Sequence, residues 1–131
     1  MDTIPIPNDY REFLRSLKEN QVDFLITGAY ASKRHAFPRP TGDLQIWVAQ
    51  DGDSIRRTLT AVSDFGCKVD AEIETRLMEG DTVLRLGVPP LRIEVITHSS
   101  NRGFHDSYAM RSTAWCGDIE VNLDDLENLP E

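Results

Sequence analysis

Cysteine is scarce in this chain: Cys67 and Cys116 are the only two in 131 residues. They fit neither a metal-binding spacing nor a disulfide framework, so a reducing compartment is the simpler reading. Long apolar runs are lacking too. The longest fall far short of the roughly 20 residues a membrane-spanning helix requires. Positive charge is in deficit, with 14 lysines and arginines against 22 acids and a formal net charge of −8. That balance argues against broad nucleic-acid binding and against attachment to anionic membranes, because both need a basic surface. The opening Met1-Asp2-Thr3-Ile4-Pro5 has no basic segment leading into an apolar one, so no signal peptide is expected. Together these absences point to a cytoplasmic protein. Two kinds of chemistry also lose support. The three histidines, His35, His98 and His105, have neither the i, i+4 spacing nor the neighbouring cysteines of a zinc site. His98-Ser99-Ser100 is not set in a Gly-x-Ser-x-Gly elbow, which removes the usual hydrolase signature.

What is present is ordinary for a globular protein: 40% hydrophobic and 27% charged residues. Residues 1–131 read as a single domain, long enough to bury roughly two-thirds of the surface its unfolded chain exposes. Tyr10, Phe13, Leu14 and Leu17 recur at helical spacing, predicting a helix over 9–20 capped by Asn8 or Asp9. Val22 to Thr27 reads as a short strand ending at Gly28. A short helix follows over 29–35, then a loop punctuated by Pro38, Pro40 and Gly42. Asp43 to Val48 alternates cleanly, with Leu44, Ile46 and Val48 on one face and Asp43, Gln45 and Trp47 on the other.

Asp51-Gly52-Asp53-Ser54 starts a helix whose buried stripe is Ile55, Leu59 and Val62, with Gly66 as its C-terminal cap. Residues 67–80 suit a helix or an irregular connection equally. Thr82 to Val88 and Leu91 to Thr97 read as two strands joined at Pro89-Pro90. Residues 98–110 read as a loop with one helical turn, and 114–123 as a strand or a hairpin around Gly117-Asp118. Asp124, Asp125 and Glu127 suit a helix start, where the dipole favours acids. The fold expected is α/β (α+β), a mixed sheet of about four or five strands with helices mainly on one face.

One constellation carries chemistry. Phosphoryl transfer from a nucleotide needs a divalent cation on the phosphate oxygens and accurate positioning. Magnesium takes oxygen ligands, usually one or two carboxylates with phosphates and water. Asp43 and Gln45 stand at i and i+2 of one strand, and Glu94 lies on a later strand with Arg92 on its face. If those strands pair, Asp43, Gln45 and Glu94 converge. The plainer alternative is that strand-borne acids on a solvated face keep the sheet soluble.

The segment Phe24-Leu25-Ile26-Thr27-Gly28-Ala29-Tyr30-Ala31, then His35, Pro38-Arg39, Thr41 and Asp43-Leu44-Gln45-Ile46, resembles the bacterial minimal nucleotidyltransferase-like family. That family reads Gly-Gly-Tyr-Ala, then His-Gly-x-Pro-Arg-x-Thr-x-Asp-x-Asp. Pro89-Pro90-Leu91-Arg92-Ile93-Glu94-Val95-Ile96-Thr97 is similar to its second block, and Leu123-Asp124-Asp125-Leu126 to a later one. The resemblance implies a nucleotidyltransferase fold and Mg2+ held by Asp43, Gln45 and Glu94, with Glu94 also placed to act as general base. It implies phosphate contacts from Gly28, Ala29 and Arg39. Arg39 could equally pair with Asp43 and hold the loop, while Lys33 and Arg34 suit either contact with a nucleoside triphosphate or the solvated face of a short helix. Trp47 suits either stacking on a base or packing beneath a helix.

Four departures stand out. Ala29 replaces the family's second glycine, Gln45 its second acid and Glu94 its third aspartate, and the domain is C-terminally short of the family's basic helices. Two functions follow as expectations. One is a metal-dependent transfer of a nucleoside monophosphate from a nucleoside triphosphate to a hydroxyl. The other is a degenerate relative (a pseudoenzyme) that binds nucleotide or protein, as a toxin's partner or as a homodimer covering an open sheet face.

Overall fold

The computed structural model describes residues 8–27, 43–69, 72–80, 82–88, 91–97, 103–116 and 118–124. The expected helix at 29–35, the loop at 37–42 and the helix start beyond Asp124 lie outside these residues. In chain order the elements are α1 (Asn8–Glu19), β1 (Phe24–Thr27), β2 (Asp43–Val48), α2 (Gly52–Phe65) and α3 (Ile73–Glu79). They continue with β3 (Leu84–Val88), β4 (Leu91–Ile96), α4 (Phe104–Ala109), β5 (Ser112–Cys116) and β6 (Ile119–Leu123). The six strands form one mixed sheet in the order β3-β4-β2-β1-β6-β5. Pairing is antiparallel for β1–β2, β3–β4 and β5–β6, and parallel for β1–β6 and β2–β4.

The fold is therefore mixed α/β, with six strands where four or five were expected. The extra strand comes from 112–123, which closes into a full hairpin. Ile119, Val121 and Leu123 alternate inward there, and Leu123 pairs with Ile26 of β1. Residues 67–80, open between helix and irregular chain, supply the seven-residue α3.

One face of the sheet carries the main core. Phe24, Ile26, Leu44, Ile46, Val48, Val95 and Val121 pack there against Phe13, Leu14 and Leu17 of α1 and Ala61 and Val62 of α2. Alternation decides this, since each inward residue is separated from the next by one that points away. Phe13 meets Phe65 edge to face with centroids 5.3 Å apart, and Ser16 Oγ donates to Ala61 O at 2.8 Å, locking α1 to α2. Tyr10 OH donates to Arg92 O at 2.9 Å, tying α1 to β4. Asp51 caps α2 by accepting from Ser54 N at 2.9 Å. Gly66 ends it with φ of 107°, a left-handed conformation that a side chain would strain. α3 extends the same layer through Ile73 and Leu77, which pack with Ile55 of α2.

The other face is divided. Leu25, Trp47 and Ile96 form an apolar row across β1, β2 and β4, which α4 covers with Phe104 and Tyr108. Trp47 is buried beneath that helix, its ring edge to face with Phe104 at 5.5 Å. Packing rather than base stacking is thus its role in this fold. Two residues along the strands, the same face turns polar.

Candidate functional site

The polar row runs across four strands. β1 places Thr27 opposite Gln45 of β2, β2 places Gln45 beside Glu94 of β4, and β4 places Glu94 opposite Arg85 of β3. Thr27 comes from the last residue of the most buried strand and is 2% exposed. Arg85 comes from the edge strand, where Leu86 turns into the core and Arg85 therefore turns away. Gly87 of β3 has φ of 83°, a left-handed conformation that suits glycine.

The row is linked by side-chain contacts. Thr27 Oγ donates to Gln45 Oε1 at 2.7 Å, Gln45 Nε2 faces Glu94 Oε1 at a long 3.5 Å, and Arg85 Nε donates to Glu94 Oε2 at 3.1 Å. The chemistry fixes the order. An ionised carboxylate only accepts, so the amide must turn its nitrogen to Glu94 and its oxygen to Thr27, whose hydroxyl then donates. Glu94 is largely buried, with 16% of its side chain exposed, whereas Arg85 is 57% exposed. Arg92 adds a second guanidinium to this face, two residues before Glu94.

The strands expected to pair do so, and they bring Gln45 and Glu94 together. Asp43 stands at the start of β2 opposite Arg92, but its side chain lies outside the described residues. Gly28, Ala29 and Arg39, the expected phosphate contacts, also lie outside them, as do Lys33, Arg34, His35 and His98. His105 is exposed on α4 beside Phe104. Asp124, read as part of a helix start, follows β6 fully buried, its N–H bonded to Ile26 O at 3.0 Å; the residues after it lie outside the described ones.

In the described arrangement the oxygens of Gln45 and Glu94 are not turned toward a shared cation position. A cation between Gln45 and Glu94 needs oxygen atoms turned toward it. Here an amide N–H2 faces one carboxylate oxygen, a guanidinium N–H takes the other, and the amide oxygen is occupied by Thr27. Among the described residues no three His, Cys, Asp or Glu side chains gather as a metal group. The magnesium expectation therefore rests on Asp43 and on residues beyond the description, and no step is derived through a metal.

Thr27 and Arg85 were not among the residues singled out from sequence. Arg85 carried a usable signal: two strands joined at Pro89-Pro90 were expected, and a register that pairs Val88 with Leu91 sets Arg85 against Glu94.

Beyond the row, α4 is pinned at its rim. Tyr108 OH donates to Asp23 Oδ1 at 3.3 Å, and the Arg111 guanidinium sits 4.1 Å over the Tyr108 ring. Burial, reinforced by the Asp23 carboxylate, raises the Tyr108 phenol above its usual range, while Arg111 opposes the shift. A cavity of about 100 Å³ lies on the opposite side of the sheet, between Tyr10, Phe65, Cys67, Leu86 and Ile93. It shares no residue with the polar row.

The fold and site together define a mixed α/β domain with a polar strip on one face of its sheet, beside the row that α4 covers. No protein-family model, no curated protein and no solved structure matches the chain. Among the described residues no helix is long and apolar enough to cross a membrane.

Proposed function

We propose that this chain is a catalytically degenerate, nucleotidyltransferase-like binding module that takes a nucleoside triphosphate on the polar half of its sheet. The observation that supports this reading is the Thr27–Gln45–Glu94–Arg85 row. Gln45 stands where metal-dependent chemistry calls for an acid, and its amide links Thr27 to Glu94 instead of offering a carboxylate. A metal site loses one charge by that exchange, and ligand charge sets cation affinity. The pairing of β2 with β4 sets Gln45 beside Glu94, an adjacency that the resemblance calls for and that supports this reading.

The test combines binding with transfer. Purified protein is heated with each nucleoside triphosphate, with and without magnesium, and separately incubated with labelled triphosphates and candidate protein acceptors. Ligand at 100 times its dissociation constant adds about 2.7 kcal/mol to stability, which moves the melting temperature by several degrees in a domain this size. The expected result is a shift with at least one triphosphate and no covalent label on any acceptor. No shift with any nucleotide would remove the binding module. Magnesium-dependent labelling that disappears in Asp43→Ala would establish the active transferase instead.

A further inference from the structure

We infer that Arg85 is the phosphate-contacting residue of this face and that it binds phosphate without a divalent cation, with Glu94 orienting it. The inference rests on the nucleotide-binding reading for the identity of the ligand, and it goes beyond that reading in assigning the cation. Arg85 Nε is committed to Glu94 Oε2 at 3.1 Å. Its two terminal nitrogens make no hydrogen bond or ion pair to any of the described residues. The guanidinium is thus held by one corner, with its remaining donors on the exposed side of an edge strand. A planar guanidinium fixed in this way presents a ready fork to a phosphate, because little side-chain freedom remains to be lost on binding.

Glu94 is placed to hold rather than to ligate. Its carboxylate is 16% exposed and both oxygens face N–H donors, from Gln45 on one side and Arg85 on the other. Gln45 is fixed in turn by the Thr27 hydroxyl. The row therefore runs from a buried hydroxyl to an exposed guanidinium, each side chain setting the next.

Isothermal titration with inorganic tripolyphosphate and with each nucleoside triphosphate, in EDTA and in magnesium, tests the assignment on four variants. The expected result is binding in EDTA at least as tight as in magnesium. Arg85→Ala should weaken it by about tenfold or more, the equivalent of losing a charge-assisted hydrogen-bond pair. Arg85→Lys keeps the charge but loses the fork, and should recover only part of that loss. Glu94→Gln and Glu94→Ala both remove the negative charge, yet only Gln keeps an acceptor for Arg85 Nε. Glu94→Ala should therefore bind more weakly than Glu94→Gln, which a purely electrostatic role for Glu94 would not produce. Melting curves of each variant confirm that it is folded.

Binding that requires magnesium, or that Arg85→Ala leaves unchanged, would overturn the inference while leaving the nucleotide-binding reading standing. Glu94→Ala binding as tightly as Glu94→Gln would overturn the orienting role of Glu94. Arg85-dependent binding of tripolyphosphate with no preference for any nucleotide would support the phosphate contact and overturn the nucleotide-binding reading. No binding of either probe would overturn both.

Discussion

The two faces of the sheet use the same strands and the same alternation for different ends. On the side of α1 and α2, Phe24, Ile26, Leu44, Ile46 and Val95 reach essentially complete burial within one apolar cluster. On the other side, burial changes to polar linkage within two residues: Leu25, Trp47 and Ile96 lie under α4, then Thr27, Gln45 and Glu94 lie in a bonded row. The first face draws its stability from transfer of apolar surface out of water, which is large and non-directional. The second gains little net energy from contacts that merely replace those with water. What it gains is orientation, because each side chain in the row has one arrangement that satisfies its donors and acceptors. The lesson is that stability and specificity are separated here by the thickness of one sheet.

Substitutions can break that comparison at either end. The largest effect belongs to the helix-covered face. Ile46→Ala deletes fully buried carbons at the centre of the sheet and should cost about 2–5 kcal/mol, read as a lower denaturant midpoint at unchanged slope. A loss under about 1 kcal/mol would mean that this layer is loosely packed.

Alkali provides a second, smaller probe of the same face. Burial pushes the Cys116 thiol from 9.0 up to about 12, with Arg11 opposing the shift. The folded protein then keeps its proton where the unfolded chain has lost it. Stability from this source is fully present below pH 9 and drains away as the pH rises from 9 toward 12. The slope is on the order of 1.4 kcal/mol per pH unit in that window. Cys116→Ala should flatten the alkaline fall in urea midpoints, and an identical slope in the variant would place the titration elsewhere.

The smallest effect should come from the polar row. Arg85→Ala removes an ion pair whose arginine is 57% exposed, so the stability change should stay within about 1 kcal/mol after solvent screening. A loss of several kcal/mol would show that the row is structural after all, and the contrast between the faces would collapse.

Much of this arrangement was readable from the chain. β2 spans Asp43–Val48 as its strict alternation demands, and α2 runs between the Asp51 cap and Gly66 that punctuation placed there. α1 follows from apolar residues repeating every three or four positions. The hairpin register that sets Arg85 against Glu94 was also available, but strands read singly reveal faces and not partners. α4 meets the single helical turn expected within 98–110, though its six residues are too few to show a period. One feature carried no local signal. The parallel pairing of β1 with β6 joins Ile26 to Leu123 across most of the chain, and only the assembled core selects it. The chemistry was half legible. Gln45 was visible as a departure from an acid, yet its donation toward Glu94 depends on Thr27, a neighbour that only the sheet supplies.

The most direct measurement is the ratio of nucleoside triphosphate affinity in EDTA to that in magnesium for the unmodified protein. A ratio at or above unity is predicted, since a guanidinium already stands beside Glu94. Binding that appears only with magnesium would contradict the account and return Glu94 to the role of a metal ligand.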